Sequence, residues 1–124
     1  MNNFTLLIAE DDDSMFLLVK IVLKKTMINI IRATNGLEAV NICKENKLID
    51  LVLMDIRMPV MDGIAATKNI RGFSKDLPII ALTAYAFPEQ EEKCLKAGCN
   101  CFMTKPLNVD LFLSKVSEFT NTKN

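Results

Sequence analysis

The chain alternates short, largely apolar runs with longer segments of helical periodicity, five times over, and that alternation restricts its fold more than any other feature. The runs 5–9, 28–33, 51–54 and 78–82 are rich in Ile, Leu and Val, 101–104 reads Cys-Phe-Met-Thr, and their largely continuous apolar character suits strands covered on both faces. Segments 14–25, 37–45, 64–71, 88–97 and 109–119 between them read as helices. Asp13 or Ser14 suits the first helix start, Pro88 followed by Glu89 and Glu91 the fourth, and Gly72 and Gly98 suit the ends of the third and fourth. Right-handed crossovers then predict an α/β fold: a doubly wound, five-stranded parallel sheet with helices on both faces, for which the order 2-1-3-4-5 is a common solution. At 124 residues the expectation is a single domain over 1–124, without linker, repeat or low-complexity segment.

The strand ends predict a site. Parallel strands finish at one edge of the sheet, and ligands bind there at the switch point. Glu10 and Asp11 follow the first run, Asp55 the third, Thr83 the fourth and Lys105 the fifth, whereas the second ends in Ala33-Thr34. With the order 2-1-3-4-5, the polar ends are neighbours and the bland one lies at the far edge. Carboxylates crowded together must protonate, separate or bind a cation. Hard oxygen ligands favour Mg²⁺, which keeps positions open for phosphate oxygens. Asp55 closes the central strand and opens the loop 56–63, so it is the best nucleophile, and a carboxylate attacking phosphorus gives an acyl phosphate. Lys105 would neutralise charge on the transferring group and Thr83 would donate a hydrogen bond to it.

Composition removes other classes. Fifteen acidic residues balance 15 basic ones, so no field gathers nucleic acid or anionic membrane. No apolar run approaches membrane-spanning length and no basic, apolar leader precedes Thr5, so a cytoplasmic protein is expected. Cys43, Cys94, Cys99 and Cys101 include no Cys-x-x-Cys pair and the chain has no histidine, so reduced, buried thiols are expected rather than a zinc site.

From end to end the chain resembles the response-regulator receiver domains of two-component signalling, which are CheY-like and flavodoxin-like in fold. The resemblance rests on Glu10-Asp11, the stretch from Met54-Asp55-Ile56-Arg57 through Met58-Pro59-Val60-Met61-Asp62-Gly63, Ala81-Leu82-Thr83-Ala84 and Lys105-Pro106, all in the family's order. It implies a phosphoacceptor switch with only self-directed catalysis: a histidine kinase or phosphotransfer protein gives its phosphoryl group to Asp55. Mg²⁺ would be held by Asp11, Asp55 and the Arg57 carbonyl, and by Glu10 through water. Ala84 would contribute its backbone to the phosphoryl site, Thr83 and Phe102 would form the switch, Arg57 and Tyr85 would tune the acyl phosphate lifetime, and Lys105-Pro106 would be cis. Phe102 stands where many receivers have tyrosine. A downstream protein would bind the face built from helix 4, strand 5 and helix 5.

Several residues carry more ordinary roles. Asp12 and Asp13 read as cap and dipole charges, Asp62 as a loop or helix-start residue, and Gly63 and Pro59 as backbone devices. In the first helix, Met15, Leu18, Val19 and Val22 are expected to face the core, turning Phe16 and Leu17 outward beside Lys20 as a docking surface for the phosphodonor. Three rivals share the fold. An aspartate-nucleophile phosphatase of the haloacid-dehalogenase type needs an aspartate two residues after the nucleophile, where this chain has Arg57, and a cap insertion that it lacks. A flavodoxin-like or dinucleotide-binding module needs a glycine-rich loop where this chain has Glu10-Asp11-Asp12-Asp13. A receiver-like scaffold that is never phosphorylated would not need the complete set of motif residues.

Overall fold

The computed structural model describes residues 3–85 and 87–123. Five parallel strands, β1 (Thr5–Ala9), β2 (Asn29–Ala33), β3 (Leu51–Asp55), β4 (Ile79–Thr83) and β5 (Cys101–Thr104), lie in the order β2-β1-β3-β4-β5. The helices are α1 (Asp13–Val22), α2 (Gly36–Glu45), α3 (Gly63–Arg71), α4 (Pro88–Ala97) and α5 (Val109–Lys123). Fold class and strand order are those expected from the sequence.

Strand period two divides the core. Leu7, Ala9, Val52, Met54, Ile79 and Ala81 face one side, with Ala39, Val40, Ala66 and Ile70 of α2 and α3 and Cys94 of α4. Leu6, Ile8, Leu51, Leu53, Ile80 and Leu82 face the other, with Val19 of α1 and Phe112 and Val116 of α5. β3 and β4 are buried at every residue, which explains why their sequences lack polar alternation.

Local chemistry moves several boundaries. α1 ends at Val22 rather than residue 25, because the chain tightens into a 3-10 turn at Lys24–Thr26 and passes through Met27 at φ 64° before β2. Leu23, buried to 1%, anchors that turn from below. The cap of α1 is Asp12, whose side chain accepts from the Ser14 N–H, and not Asp13 or Ser14. Asp62 caps α3 by accepting from the Ala65 N–H, in keeping with its reading as a helix-start residue. α5 runs four residues beyond the expected end at Phe119, to Lys123. α1 is also rotated from the expected orientation: Leu18 is 40% exposed, while Phe16 is half-buried against the core with the Arg32 guanidinium 4.5 Å above its ring. The outward apolar residues are therefore Leu17, Leu18 and Ile21.

All four cysteines are free, and three are buried. Burial pushes the Cys43 and Cys94 thiols up to about 11 from 9.0. Because the folded-state values are raised, the stability they carry is intact below pH 9 and is lost as pH climbs from 9 through 11, where the unfolded chain ionises first. At pH 8 that rise lowers the thiolate fraction roughly 100-fold. Alkylation of Cys43 and Cys94 by iodoacetamide at pH 8, followed by peptide mass spectrometry, should be at least about 100-fold slower in the native protein than in urea.

Candidate phosphoryl and metal site

The carboxyl ends of β1, β3 and β5 bring the predicted charges together. Asp55 is the last residue of β3 and pairs in register with Leu82, so Thr83 follows immediately on the neighbouring strand. Asp55 is 3% exposed and Glu10 is 2% exposed, whereas Asp11 faces solvent. One carboxylate oxygen from each of Glu10, Asp11 and Asp55 falls within 4.8 Å of the others. Lys105, one residue past β5, places Nζ 3.3 Å from Asp55 Oδ2 and 3.2 Å from Glu10 Oε1. Its backbone N–H donates to the Thr83 carbonyl at 2.8 Å, which ties the β5 exit to β4, and the Lys105-Pro106 peptide is cis.

Both buried carboxylates accept a backbone N–H. Asp55 Oδ1 accepts a long bond from the Arg57 N–H, 3.3 Å, and Glu10 Oε2 accepts from the Asp12 N–H, 3.1 Å. Glu10 Oε1 is buried and receives no well-directed hydrogen bond, despite Lys105 nearby. Burial first, then the Asp55 charge, pushes the Glu10 carboxyl up to about 7. Lys105 stays cationic: burial would lower its ammonium, but Asp55 and Glu10 together hold it above its ordinary value. A single ammonium cannot satisfy three acids. Crowded hard oxygens, with a buried acceptor lacking a well-directed hydrogen bond, fit a divalent cation such as Mg²⁺.

The surrounding groups are ordered by the same loops. Thr83 is fully buried and its hydroxyl accepts from the Tyr85 N–H, 3.2 Å. Arg57 and Tyr85 are exposed, and the guanidinium stacks 4.5 Å above the phenol ring at the site's mouth. A cleft of about 480 Å³ opens beside Arg57 between the loop 56–62 and α4, lined among others by Asp11, Arg57, Asp62 and Lys93. Phe102 is half-buried against the α2–α3–α4 side of the core.

Three backbone and side-chain devices were not read from the sequence. Gly36 donates its N–H to the Met61 carbonyl, fixing the start of α2 against the loop after β3. Val60, in that loop, sits at φ 70°, where a β-branched residue is strained. Arg32 of β2 reaches across the sheet edge to the Glu10 carbonyl and the Asp13 carboxylate. Two lysines over the Phe73 ring, Lys44 and Lys47, lie away from this site.

Comparison with known proteins agrees with the geometry. The response regulator receiver domain family matches residues 6–117. A hybrid signal transduction histidine kinase M of Dictyostelium discoideum is 40% identical over 95% of this chain, which spans only 5% of that protein. The polar-differentiation response regulator DivK of Brucella anthropi is 31% identical, the match covering 93% of this chain and 94% of DivK. Among solved structures, the Francisella response regulator 1452 receiver domain superposes with a TM-score of 0.90 at 28% identity, covering 98% of this chain and all of that one. The receiver domain of the Saccharomyces cerevisiae response regulator Ssk1, solved with the histidine phosphotransfer protein Ypd1, gives 0.87 at 36% identity, covering 94% of this chain and 88% of that one. No described helix is long and apolar enough to cross a membrane.

Proposed function

The chain belongs to the response-regulator receiver domain family, and from that premise we propose that Asp55 is its phosphoacceptor in a two-component phosphorelay, the donor being a histidine kinase or phosphotransfer protein. The observation that carries this reading is the convergence of Glu10, Asp11 and Asp55 on one point, with Lys105 bridging the two buried acids.

An Asp55 carboxylate oxygen attacks the phosphorus of a phosphohistidine; the O–P bond forms as the P–N bond breaks, and the imidazole leaves. Asp11, Asp55 and the Arg57 carbonyl would hold Mg²⁺, with Glu10 reaching it through water. Bound there, the ion supplies charge neutralisation on the transferring oxygens. Lys105 neutralises a further oxygen, and the Ala84 N–H and the Thr83 hydroxyl donate to the product. As Thr83, whose hydroxyl now accepts from the Tyr85 N–H, moves toward the phosphoryl group, Phe102, half-buried on the neighbouring strand in register with Ala81, turns into the space vacated. The Arg57–Tyr85 stack over the mouth of the site limits water's approach to the acyl phosphate and so sets its lifetime. Signalling then proceeds through the α4–β5–α5 face, where Phe87, Leu95 and Leu111 are exposed. The donor docks on the outward stripe Leu17, Leu18 and Ile21 of α1, a revision of the Phe16–Leu17 pair.

Acetyl phosphate with Mg²⁺ should add one phosphoryl group by intact-mass spectrometry, and EDTA or Asp55→Asn should remove the addition. A double Leu17→Lys, Ile21→Lys substitution should slow transfer from a phosphorylated phosphotransfer protein more than tenfold while acetyl phosphate still labels the protein. Labelling that persists in Asp55→Asn contradicts the proposal, and unimpaired protein-to-protein transfer contradicts the docking stripe.

A further inference from the structure

We propose that Arg32 is a positioning residue for the acidic turn between β1 and α1, an inference that rests on the metal-dependent reading of Asp55. Arg32 lies in β2, paired in register with Ile8 and one residue before the strand ends. Its guanidinium makes every kind of contact that such a group offers. Nε and Nη2 donate together to the Glu10 carbonyl at 3.1 and 3.0 Å, Nη1 meets Asp13 Oδ1 at 2.8 Å, and its face covers the Phe16 ring at 4.5 Å.

These contacts bracket Asp11. The turn enters at Glu10, whose N–H donates to the Ala33 carbonyl and whose carbonyl is held by the Arg32 fork. It leaves at Asp13, whose carboxylate Arg32 also holds. Asp11, exposed, is thus suspended between two points fixed by one side chain on a neighbouring strand. The need is physical: four consecutive acids, Glu10 to Asp13, repel one another, and beside the local bonds from the Asp12 N–H to Glu10 and from the Ser14 N–H to Asp12, Arg32 adds a cation at both ends of the turn. The Arg32 side chain is 23% exposed, so most of its surface is spent on this packing. Residues that orient metal ligands from behind typically change metal affinity by about 10- to 100-fold when replaced.

Two substitutions separate positioning from charge. Arg32→Lys keeps the charge but loses the fork and the planar stack. Arg32→Gln removes a positive charge near the site, which by electrostatics alone would tighten cation binding. Positioning predicts weakening in both. Mg²⁺ titration followed by amide NMR shifts of residues 10–13 and 55–57 gives the half-saturation concentration, which should rise about tenfold in each variant. Arg71→Lys is the comparator for a purely structural clamp. That guanidinium holds the Gly98 and Ser74 carbonyls at the distant β4–β5 side, so its loss should lower Tm and leave the Mg²⁺ midpoint in place. An unchanged midpoint in Arg32→Lys, or a tighter one in Arg32→Gln, overturns the inference; if wild-type protein still takes a phosphoryl group from acetyl phosphate, the phosphoacceptor reading survives that result. A wild-type protein that binds no Mg²⁺ overturns both.

Discussion

Lys105→Met should slow phosphoryl uptake from acetyl phosphate by about 100- to 1000-fold, the usual consequence of losing one preorganised donor to developing negative charge. Lys105 Nζ is the only side-chain cation that the structure places against both Asp55 and Glu10 among the described residues. The stem of methionine fills similar space, so packing is not the cause. Mg²⁺ binding should persist, because all three carboxylates remain, and the buried Glu10 carboxyl should rise further above about 7 once its counter-charge is gone. In the metal-free protein, a raised acid contributes stability below its unfolded value of 4.5 that is lost as pH rises through about 7. A rate within threefold of wild type, measured by intact mass at fixed Mg²⁺, would remove Lys105 from the chemistry.

Gly63→Ala should be strongly destabilising, as should Gly36→Ala, whose Cβ would fall on the Met61 carbonyl. A Cβ at Gly63 would fall on the Asp55 carbonyl oxygen and within 2.9 Å of Ile56 Cα, both backbone atoms at the end of β3 and its exit. The Gly63 N–H also donates to the Ile56 carbonyl at 2.8 Å, so helix and strand cannot separate without breaking that bond. Overpacking of this kind costs about 3 kcal/mol, or a Tm lower by on the order of 10 °C. Gly72→Ala is the contrast: φ there is −66°, and the nearest atom to a Cβ is the Asn69 carbonyl oxygen at 3.1 Å. Thermal melts should place Gly72→Ala within about 1 kcal/mol of wild type. Equal melting temperatures for the two variants would show that α3 is not pressed against the Asp55 carbonyl.

These two predictions differ in how much of their basis is legible in the sequence. Lys105 and the acids were found because strand ends converge whenever apolar runs alternate with helices, and the structure brings Glu10, Asp11, Asp55 and Lys105 together as that rule requires. The sequence marks Gly63 as a backbone device, but which atoms it must approach depends on how α3 lies on β3. The roles of Gly36 and Arg32 are invisible in sequence for a related reason. An arginine in an edge strand looks like a solvated charge, and only the three-dimensional path of the acidic turn shows what it holds. The rotation of α1 failed differently. Its apolar residues cover more than one face, so periodicity leaves the choice between Phe16 and Leu18 open, and the stack on Arg32 decides it. Helix ends moved where one buried residue, Leu23, outweighed helical propensity.

The account stands on Asp55 carrying the phosphoryl group, and hydride trapping tests that directly. Protein incubated with acetyl phosphate and Mg²⁺ is reduced with borohydride, which converts an aspartyl phosphate to homoserine, and the peptides are sequenced by mass spectrometry. Homoserine at position 55 is the predicted result. Homoserine at Asp11, or reduced protein unaltered at every carboxylate, would contradict it.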